Sequence, residues 1–282
     1  MIIPRIGRFV CALAAAVAVA SPSMAKEWTS IRIAADGDTP PYNFHLPDGK
    51  LAGFEVDLAA DLCRRMKVQC ETVAQDWDGI LPGLTAGKYD VIMAAMSITA
   101  KRMQVIDFST PYVVSSTRFT VLKGSPLEKL PEQDEPINLG DDAGARAAVA
   151  LLDASLKGKS IGVQVGSIQG DLLNTYFKGV INLRTYKTAD DYMLDLNAER
   201  IDAVLTSAAL MKSMMDKPGG DQLAFTGPAF RGGIIGLGVG VGIRKTDPEL
   251  KAMFDPAIEA AIADGTMKRL SLQWFHLDMS PH

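Results

Sequence analysis

The sequence has few residues that could bind a metal ion, with three cysteines and three histidines among 282 residues. The histidines are scattered at His45, His276 and His282, and no histidine lies near a pair of cysteines. A zinc site needs about four ligands of the Cys, His or Asp/Glu type, so two sulfurs alone cannot complete one. We therefore expect neither a metal ion nor another cofactor.

Long apolar runs are also scarce, and the clearest one lies at the N terminus. Arg5 and Arg8 precede the apolar stretch Phe9–Ala20, and Ser23-Met24-Ala25 provides small residues for cleavage. This order of features is typical of a secretory signal peptide, which we predict over residues 1–25. The run is too short for a transmembrane helix and has no basic stop signal after it. The mature protein is therefore expected to be soluble and exported.

The chain has no excess of basic residues, since 29 Lys and Arg oppose 33 Asp and Glu. Without Arg5 and Arg8 of the signal peptide, 27 basic residues remain and the formal net charge is −6. An acidic protein is poorly suited to bind nucleic acid or an anionic membrane surface. We expect neither as a partner.

Removal of the signal peptide leaves two cysteines, Cys63 and Cys70, in the segment "LCRRMKVQC". In an oxidising compartment this spacing favours a disulfide between a helix end and the next strand over a metal site. The third cysteine, Cys11, is not expected to carry a lipid, because the apolar segment follows it rather than preceding it.

Strand-like and helix-like segments alternate along the chain. The β-branched runs "SIRIAAD" and "CETVAQ" flank "GFEVDLAADLCRRM", whose apolar residues recur at helical spacing. Those residues, which we assign to the core, are Phe54, Leu58, Leu62 and Met66. The pattern restarts after residue 118 with "RFTVLKG". Such alternation predicts an α/β fold with mixed, mostly parallel sheets and a second α/β unit.

One long insertion, residues 124–158, interrupts the second unit. It is acidic and contains proline, and it should begin as a loop and end in a helix over residues 143–156. Long insertions are either functional or tolerated at the surface, and we favour tolerated surface.

Several segments, taken in order, resemble the periplasmic polar amino acid-binding proteins of ATP-driven importers, which are bacterial solute-binding proteins of family 3. They are "IRIAADGDTPPYNF", "DWDGILPGLTAGKYDVIMAAMSITAKR", "IGVQVGSIQG", "ERIDAVL" and "GVGVGIRKTDPELKAMFDPAIEAAIADGT". The resemblance spans essentially the whole mature chain. It is similar in particular to the octopine- and nopaline-binding (opine) branch, through Ser207, the insertion, "MAAMSIT" and "DKPGGDQLAFTGP".

This resemblance implies a two-lobed fold of the Venus flytrap type, with two strands joining the lobes. Lobe 1 would comprise residues 26–115 and 236–282, and lobe 2 residues 116–235. A cleft between hinged lobes is also where general principles place a small-molecule site.

The resemblance implies that Arg102 and Ser97 bind the ligand's α-carboxylate, helped by backbone amides around Ala95 and Ser97. Arg102 should lie in the first turn of a helix capped by Thr99, where its guanidinium can grip a carboxylate with two parallel hydrogen bonds. The alternative is that Arg102 pairs with Asp107 or faces solvent.

Two further lobe 1 residues are implied to hold the ligand's side chain. Asp36 would meet a distal cationic group, and Trp77 would stack on the ligand's stem. The structural alternatives are that Asp36 is an ordinary loop or cap residue and that Trp77 belongs to the core.

Lobe 2 is implied to contribute residues at a turn from strand to helix. Gln164 ends the strand, and Gly166 and Ser167 precede the helix. Free amide groups at a helix N terminus suit an anionic ligand group.

The sequence departs from the family pattern at three positions. Thr39 replaces an aromatic residue, and Ile168 replaces a threonine. Ser207 replaces the aspartate that normally binds the α-ammonium, and an ammonium buried without a counter-charge costs a few kcal/mol. Ala94 and Ala95 leave room for a bulkier head group. We therefore predict an N-substituted amino acid with a cationic tail, of octopine or nopaline type.

The predicted function is that of a monomeric periplasmic binding protein that delivers its ligand to an ABC transporter permease. One alternative is an ordinary binder of arginine, lysine, ornithine or histidine. Another is an enzyme like the periplasmic cyclohexadienyl dehydratases, which would need a general acid or base in the cleft. Asp36 is the candidate for that role, and we do not expect an enzyme. A sensory ectodomain is not favoured either, because no output domain is recognised.

Overall fold

A computed structural model describes residues 27–281. The predicted signal peptide and Cys11 lie outside the described residues. Within residues 27–281, no helix combines the length and the apolar character that a membrane span requires.

The strands of the described chain are short and fall into three sheets. In chain order they are β1 (Ser30–Ala35), β2 (Asp38–Thr39), β3 (Asn43–His45), β4 (Leu51–Ala52), β5 (Gln69–Ala74), β6 (Val91–Ile92), β7 (Asp107–Phe108), β8 (Thr117–Leu122), β9 (Pro136–Asn138), β10 (Ser160–Gln164), β11 (Asn182–Tyr186), β12 (Ala203–Ser207), β13 (Leu223–Arg231) and β14 (Gly242–Ile243). The α-helices are α1 (Phe54–Met66), α2 (Trp77–Thr85), α3 (Ala100–Met103), α4 (Asp142–Leu156), α5 (Ile168–Tyr176), α6 (Ala189–Asn197), α7 (Ala208–Met215), α8 (Pro248–Ala263) and α9 (Thr266–Phe275).

Lobe 1 is built on a five-stranded sheet of order β5-β1-β6-β14-β7. Strand β1 pairs in parallel with β5 and β6, whereas β14 is antiparallel to both of its neighbours. Strand β14 comes from the C-terminal part of the chain and enters the sheet between β6 and β7. The small sheet β2-β3-β4 and the helices α1 to α3, α8 and α9 complete the lobe.

The core of lobe 1 forms where α1 packs against α8 and α9. Phe54, Leu58 and Leu62 are fully buried as predicted, while Met66 at the helix end is half-buried against the same core. Burying each such apolar side chain contributes roughly 1.5–3 kcal/mol. The predicted disulfide is present and joins Cys63 of α1 to Cys70 of β5.

Lobe 2 is built on a six-stranded sheet of order β11-β10-β12-β8-β13-β9. The strands β11, β10 and β12 are parallel, and β8 is antiparallel to β12 and β13. The α/β fold with mixed sheets, predicted from the alternation of segments, is therefore confirmed in both lobes.

The insertion at residues 124–158 is an integral part of lobe 2. Its strand β9 pairs in parallel with β13, and α4 buries Val149 and Leu152 in the lobe core. Leu127 and Leu130 of the preceding loop are buried in the same core. The expectation that this segment is tolerated surface is wrong, because these apolar residues are buried in the lobe core. In the sequence they are separated by acidic residues and proline, which hides the buried face.

Two segments cross between the lobes, residues 109–116 after β7 and residues 232–241 after β13. They pair with each other, since the amide of Tyr112 donates to the carbonyl of Val239 at 2.8 Å and the amide of Val239 donates to Val113 at 2.8 Å. These paired segments are the only covalent links between the lobes within residues 27–281.

Candidate functional site

A cavity of about 530 Å³ lies between the lobes. This volume is within the range of about 300–1,000 Å³ that is usual for small-molecule sites. Ten of the twelve ligand-site residues predicted from the sequence line it, namely Thr39, Trp77, Ala94, Ala95, Ser97, Arg102, Gln164, Ser167, Ile168 and Ser207. The other two, Asp36 and Gly166, are not in the cavity wall.

Polar contacts connect the lobes around this cavity. The indole Nε1 of Trp77 donates a hydrogen bond of 3.1 Å to the carbonyl of Val165. Two ion pairs also cross the cleft, Lys101–Asp171 at 2.8 Å and Lys187–Asp76 at 2.7 Å. The lobes are thus closed over the cavity.

Arg102 is the buried cation of the site. Its helix is capped as predicted, since Thr99 Oγ1 accepts a hydrogen bond from the Arg102 amide at 3.2 Å. Its Nη1 donates to the Ser97 carbonyl at 3.0 Å, and its guanidinium lies 5.2 Å from the ring centroid of Trp77. Among the described residues it forms no ion pair, with Asp107 or any other carboxylate. Burial lowers the pKa of Arg102 to about 10.

An unpaired guanidinium that is 8% exposed is costly in a protein interior. An anion entering the cavity would relieve that cost, and a carboxylate matches the guanidinium geometry. The chemistry of Arg102 therefore fits the predicted carboxylate site.

The backbone amide of Ala95, which the sequence resemblance offers to the ligand, is already engaged. It donates at 2.7 Å to Oε1 of Glu55, a buried carboxylate of α1. Glu55 also accepts hydrogen bonds from the Tyr112 hydroxyl and from Asn43 Nδ2 at 2.6 Å. Burial raises the pKa of Glu55 to about 7. The Ala95 amide is thus used to hold the cavity wall, which corrects that part of the prediction.

Asp36 lies behind the cavity wall at the end of β1. Its Oδ2 accepts a hydrogen bond of 2.5 Å from the hydroxyl of Thr39, which itself lines the cavity. Its Oδ1 is buried and has no partner among the described residues. Burial raises the pKa of Asp36 to about 6. This carboxylate oxygen lies behind Thr39 and has no hydrogen-bond donor among the described residues, so it could accept one from a cationic ligand group. Contact between Asp36 and the ligand remains a prediction.

The N terminus of α5 faces the cavity from lobe 2. Ser167 is its N-cap and accepts a hydrogen bond from the Gly170 amide at 3.2 Å. Gly166 forms the turn before it with a φ of 66°, a conformation that favours glycine. Because the Ser167 amide donates to the Gln164 carbonyl at 3.3 Å, the ligand would meet the side of this turn rather than a free Ser167 amide.

A group of hydroxyls occupies the place where the family pattern has an aspartate. Ser207, at the N-cap of α7, lies 3.3 Å from Ser115 between their Oγ atoms. The side chain of Tyr42 lies beside both serines, and all three line the cavity. This part of the wall can donate and accept hydrogen bonds but carries no charge.

The charge of the wall is unusual for a site that would hold a free ammonium. Two arginines, the buried Arg102 and the exposed Arg231, line the cavity, and no Asp, Glu or His among the described residues does so. Sequence reasoning missed Arg231, together with Tyr42 and Asn138. The only signal for Arg231 was an arginine placed directly before the glycines of "FRGGIIG".

No metal site is apparent, because no three His, Cys, Asp or Glu side chains are grouped as ligands in the described part of the chain.

Comparison with known proteins agrees with this geometry. Residues 31–277 match the family described as bacterial extracellular solute-binding proteins, family 3. The octopine-binding periplasmic protein of Rhizobium meliloti is 41% identical over 96% of this chain and 98% of its own length. The L-arginine-binding protein of Pseudomonas aeruginosa is 33% identical over 88% of this chain and 89% of its own length.

A solved structure shares the fold over most of its length. It is a periplasmic His/Glu/Gln/Arg/opine family-binding protein from Silicibacter pomeroyi in complex with lysine, with a TM-score of 0.71 and 28% identity. The alignment covers 89% of this chain and 100% of that one. With its two lobes, its central cavity and a family match over residues 31–277, the chain belongs to the bacterial extracellular solute-binding proteins of family 3.

Proposed function

We propose that the protein captures an opine-like ligand, an amino acid whose α-nitrogen carries a second carboxylate-bearing substituent and whose side chain is cationic. The observation that carries the proposal is the composition of the cavity wall, which has two arginines and no acidic side chain among the described residues. Such a wall suits a ligand with two carboxylates.

The α-nitrogen of an ordinary amino acid would be poorly served here. A buried primary ammonium without a counter-charge costs a few kcal/mol. Ser207 and Ser115 offer only hydroxyls near the position of the missing aspartate. In an opine the secondary ammonium has a carboxylate on each side within the ligand, so its charge is balanced without help from the protein.

The relatives support the same ligand class. The Rhizobium meliloti relative is named for octopine binding, and it is 41% identical across nearly the full length of both chains. The unpaired Oδ1 of Asp36 supports a cationic tail, since a guanidinium or ammonium reaching past Thr39 would supply the missing donor.

An ordinary basic amino acid is the second candidate. It is favoured by Asp36 and by two relatives, the Pseudomonas aeruginosa protein named for L-arginine binding and the Silicibacter pomeroyi structure in complex with lysine. Against it stands the lack of an acidic side chain in the cavity wall among the described residues, which leaves a primary α-ammonium without a counter-charge.

Binding without catalysis is part of the proposal. A dehydratase needs a general acid or base at the substrate, and no carboxylate or imidazole lines the cavity in the described part of the chain. The relatives compared above are named as binding proteins.

The family supports a proposal for the cellular setting. We propose that cleavage near Ala25 releases a monomer into the periplasm, and that the closed, loaded form docks on an ABC transporter permease. We also propose that the lobes divide into residues 26–115 with 236–282 and residues 116–235.

Isothermal titration calorimetry on the purified mature protein tests the ligand. Octopine should bind at least ten times more tightly than arginine or lysine, and Arg102→Gln should abolish binding of all three. Submicromolar binding of arginine or lysine with no binding of octopine would overturn the proposal. Turnover of prephenate or arogenate would overturn the statement that the protein is not an enzyme.

A further inference from the structure

Arg231 and Asn138 are brought side by side on the lobe 2 wall of the cavity. Arg231 ends β13 and Asn138 ends β9, and the two residues are register partners in the parallel pair. The carbonyl of Arg231 accepts a hydrogen bond of 2.8 Å from the amide of Leu139, which fixes the two strand ends. Gly232 follows with a φ of 63°, and a Cβ there would lie 2.5 Å from Asn138 Oδ1. This close approach requires glycine.

Both side chains present hydrogen-bond donors. Asn138 Oδ1 accepts from the Gly140 amide at 2.9 Å, so its Nδ2 remains available as a donor. Arg231 forms no ion pair with any carboxylate of the described residues. A guanidinium beside an amide nitrogen is a donor set for a carboxylate.

Arg102 is positioned by elements of lobe 1, whereas Arg231 is positioned by the sheet of lobe 2. Arg102 is buried and therefore needs an anionic partner in the cavity, whereas Arg231 and Asn138 are exposed and offer hydrogen-bond donors on the lobe 2 side of the wall.

We propose that Arg231 and Asn138 form a second carboxylate subsite, which binds the carboxylate on the substituent of the ligand's α-nitrogen. This inference rests on the proposed opine-like ligand and deepens it. Because Asn138 belongs to β9, the insertion at residues 124–158 supplies half of the subsite. The subsite distinguishes an opine from its parent amino acid, which has no second carboxylate.

The test compares octopine with arginine, which differ by the carboxyethyl group, in calorimetric titrations of wild type, Arg231→Gln and Arg231→Lys. Loss of one charge-assisted hydrogen-bonded pair corresponds to about a 10- to 100-fold loss of affinity. Arg231→Gln should show this loss for octopine and less than about a threefold change for arginine. Arg231→Lys should fall between, since lysine keeps the charge but not the forked geometry.

A second variant probes the neighbouring residue. Asn138→Asp places a carboxylate beside the position of the ligand's second carboxylate. It should weaken octopine binding more than Arg231→Gln does, and arginine binding should be unchanged or tighter. The matched control is Arg184→Gln, an exposed arginine of β11 outside the cavity, which should affect neither ligand. Circular dichroism melting curves establish that each variant folds.

The outcomes separate the subsite from the function. Equal losses for octopine and arginine, or tight octopine binding that Arg231→Gln leaves unchanged, would overturn the subsite and leave the opine-like ligand in place. Absence of octopine binding to wild type would overturn the proposed ligand, and the subsite with it.

Discussion

The side chain of Glu55 holds the backbone amide of Ala95 with a hydrogen bond of 2.7 Å, directly behind the wall of the ligand cavity. Ala95 has a φ of 48°, a left-handed conformation that costs a residue with a side chain roughly 1–2 kcal/mol. The buried carboxylate of Glu55 thus stabilises a strained residue of the cavity wall. The shape of the site therefore depends on whether Glu55 is protonated.

The first prediction concerns the pH dependence of stability. Burial raises the pKa of Glu55 from 4.5 to about 7, so the folded protein binds this proton more tightly than the unfolded chain does. The resulting stability is fully present below pH 4.5 and is lost as pH rises through about 7. As the pH rises from 5 to 8, the free energy of unfolding of Glu55→Gln should therefore increase relative to that of wild type, by up to about 3 kcal/mol.

Chemical denaturation at several pH values measures this change. The exposed Glu259 on α8 provides the control, because Glu259→Gln should follow the wild-type profile. A Glu55→Gln profile parallel to wild type would contradict the raised pKa.

The second prediction concerns Asp36 and the ligand's tail. Burial raises the pKa of Asp36 to about 6, and only the ionised carboxylate attracts a cation. Affinity for octopine should therefore be highest above pH 6 and fall by up to about tenfold for each pH unit below it. Asp36→Asn should bind more weakly at pH 7.5 and lose this dependence.

Titrations of both proteins from pH 4.5 to pH 7.5 provide the measurement. The comparison removes the contribution of Glu55, which is present in both. Equal slopes in the two proteins would show that Asp36 does not meet the cationic group.

The third prediction concerns closure of the lobes. The indole of Trp77 donates to the carbonyl of Val165 across the cleft, and Trp77→Phe keeps a smaller aromatic ring but removes this donor. One net hydrogen bond corresponds to about a 2- to 10-fold change in an equilibrium constant. Ligand affinity should fall by that factor, and small-angle scattering should show a larger radius of gyration at partial saturation.

Trp274→Phe is the matched control, because its indole donates at 2.9 Å to Asp57 within lobe 1. This variant should change the melting temperature without changing affinity. An unchanged affinity for Trp77→Phe would mean that its hydrogen bond does not favour the closed state.

The fourth prediction is a change of specificity at Ser207. A carboxylate at this position would pair with a primary α-ammonium and repel the second carboxylate of an opine. Ser207→Asp should therefore shift the ratio of arginine to octopine affinity by at least about tenfold toward arginine. Calorimetry with both ligands measures the ratio, and Ser207→Ala should leave it unchanged. Similar losses for both ligands in Ser207→Asp would contradict this role.

Local patterns in the sequence were sufficient to predict several parts of the structure. The helical spacing of Phe54, Leu58 and Leu62 identified the buried face of α1. The cap of the short helix α3 followed from Thr99 standing three residues before Arg102. Both depend on interactions within one helical turn or one helix face, which a sequence records directly.

Other parts depend on contacts between distant residues. Asn138 and Arg231 meet only because β9 pairs with β13, and nothing local in either segment specifies that register. Glu55 reaches the amide of Ala95 forty positions away in the chain, so the prediction of a free amide there was wrong. Similarly, the buried residues of the insertion could be recognised only once α4 and β9 were placed on the lobe 2 sheet.

Because β14 lies between β6 and β7, the sheet of lobe 1 needs a strand that is synthesised late. All strands of lobe 2 are synthesised before β14, so lobe 2 can complete its sheet while lobe 1 still lacks an inner strand. Until Gly242–Ile243 emerges, the edges of β6 and β7 remain open, and open edges are sites of misassociation between chains. The lobe that begins the chain is therefore closed by a strand from near the other end of the sequence.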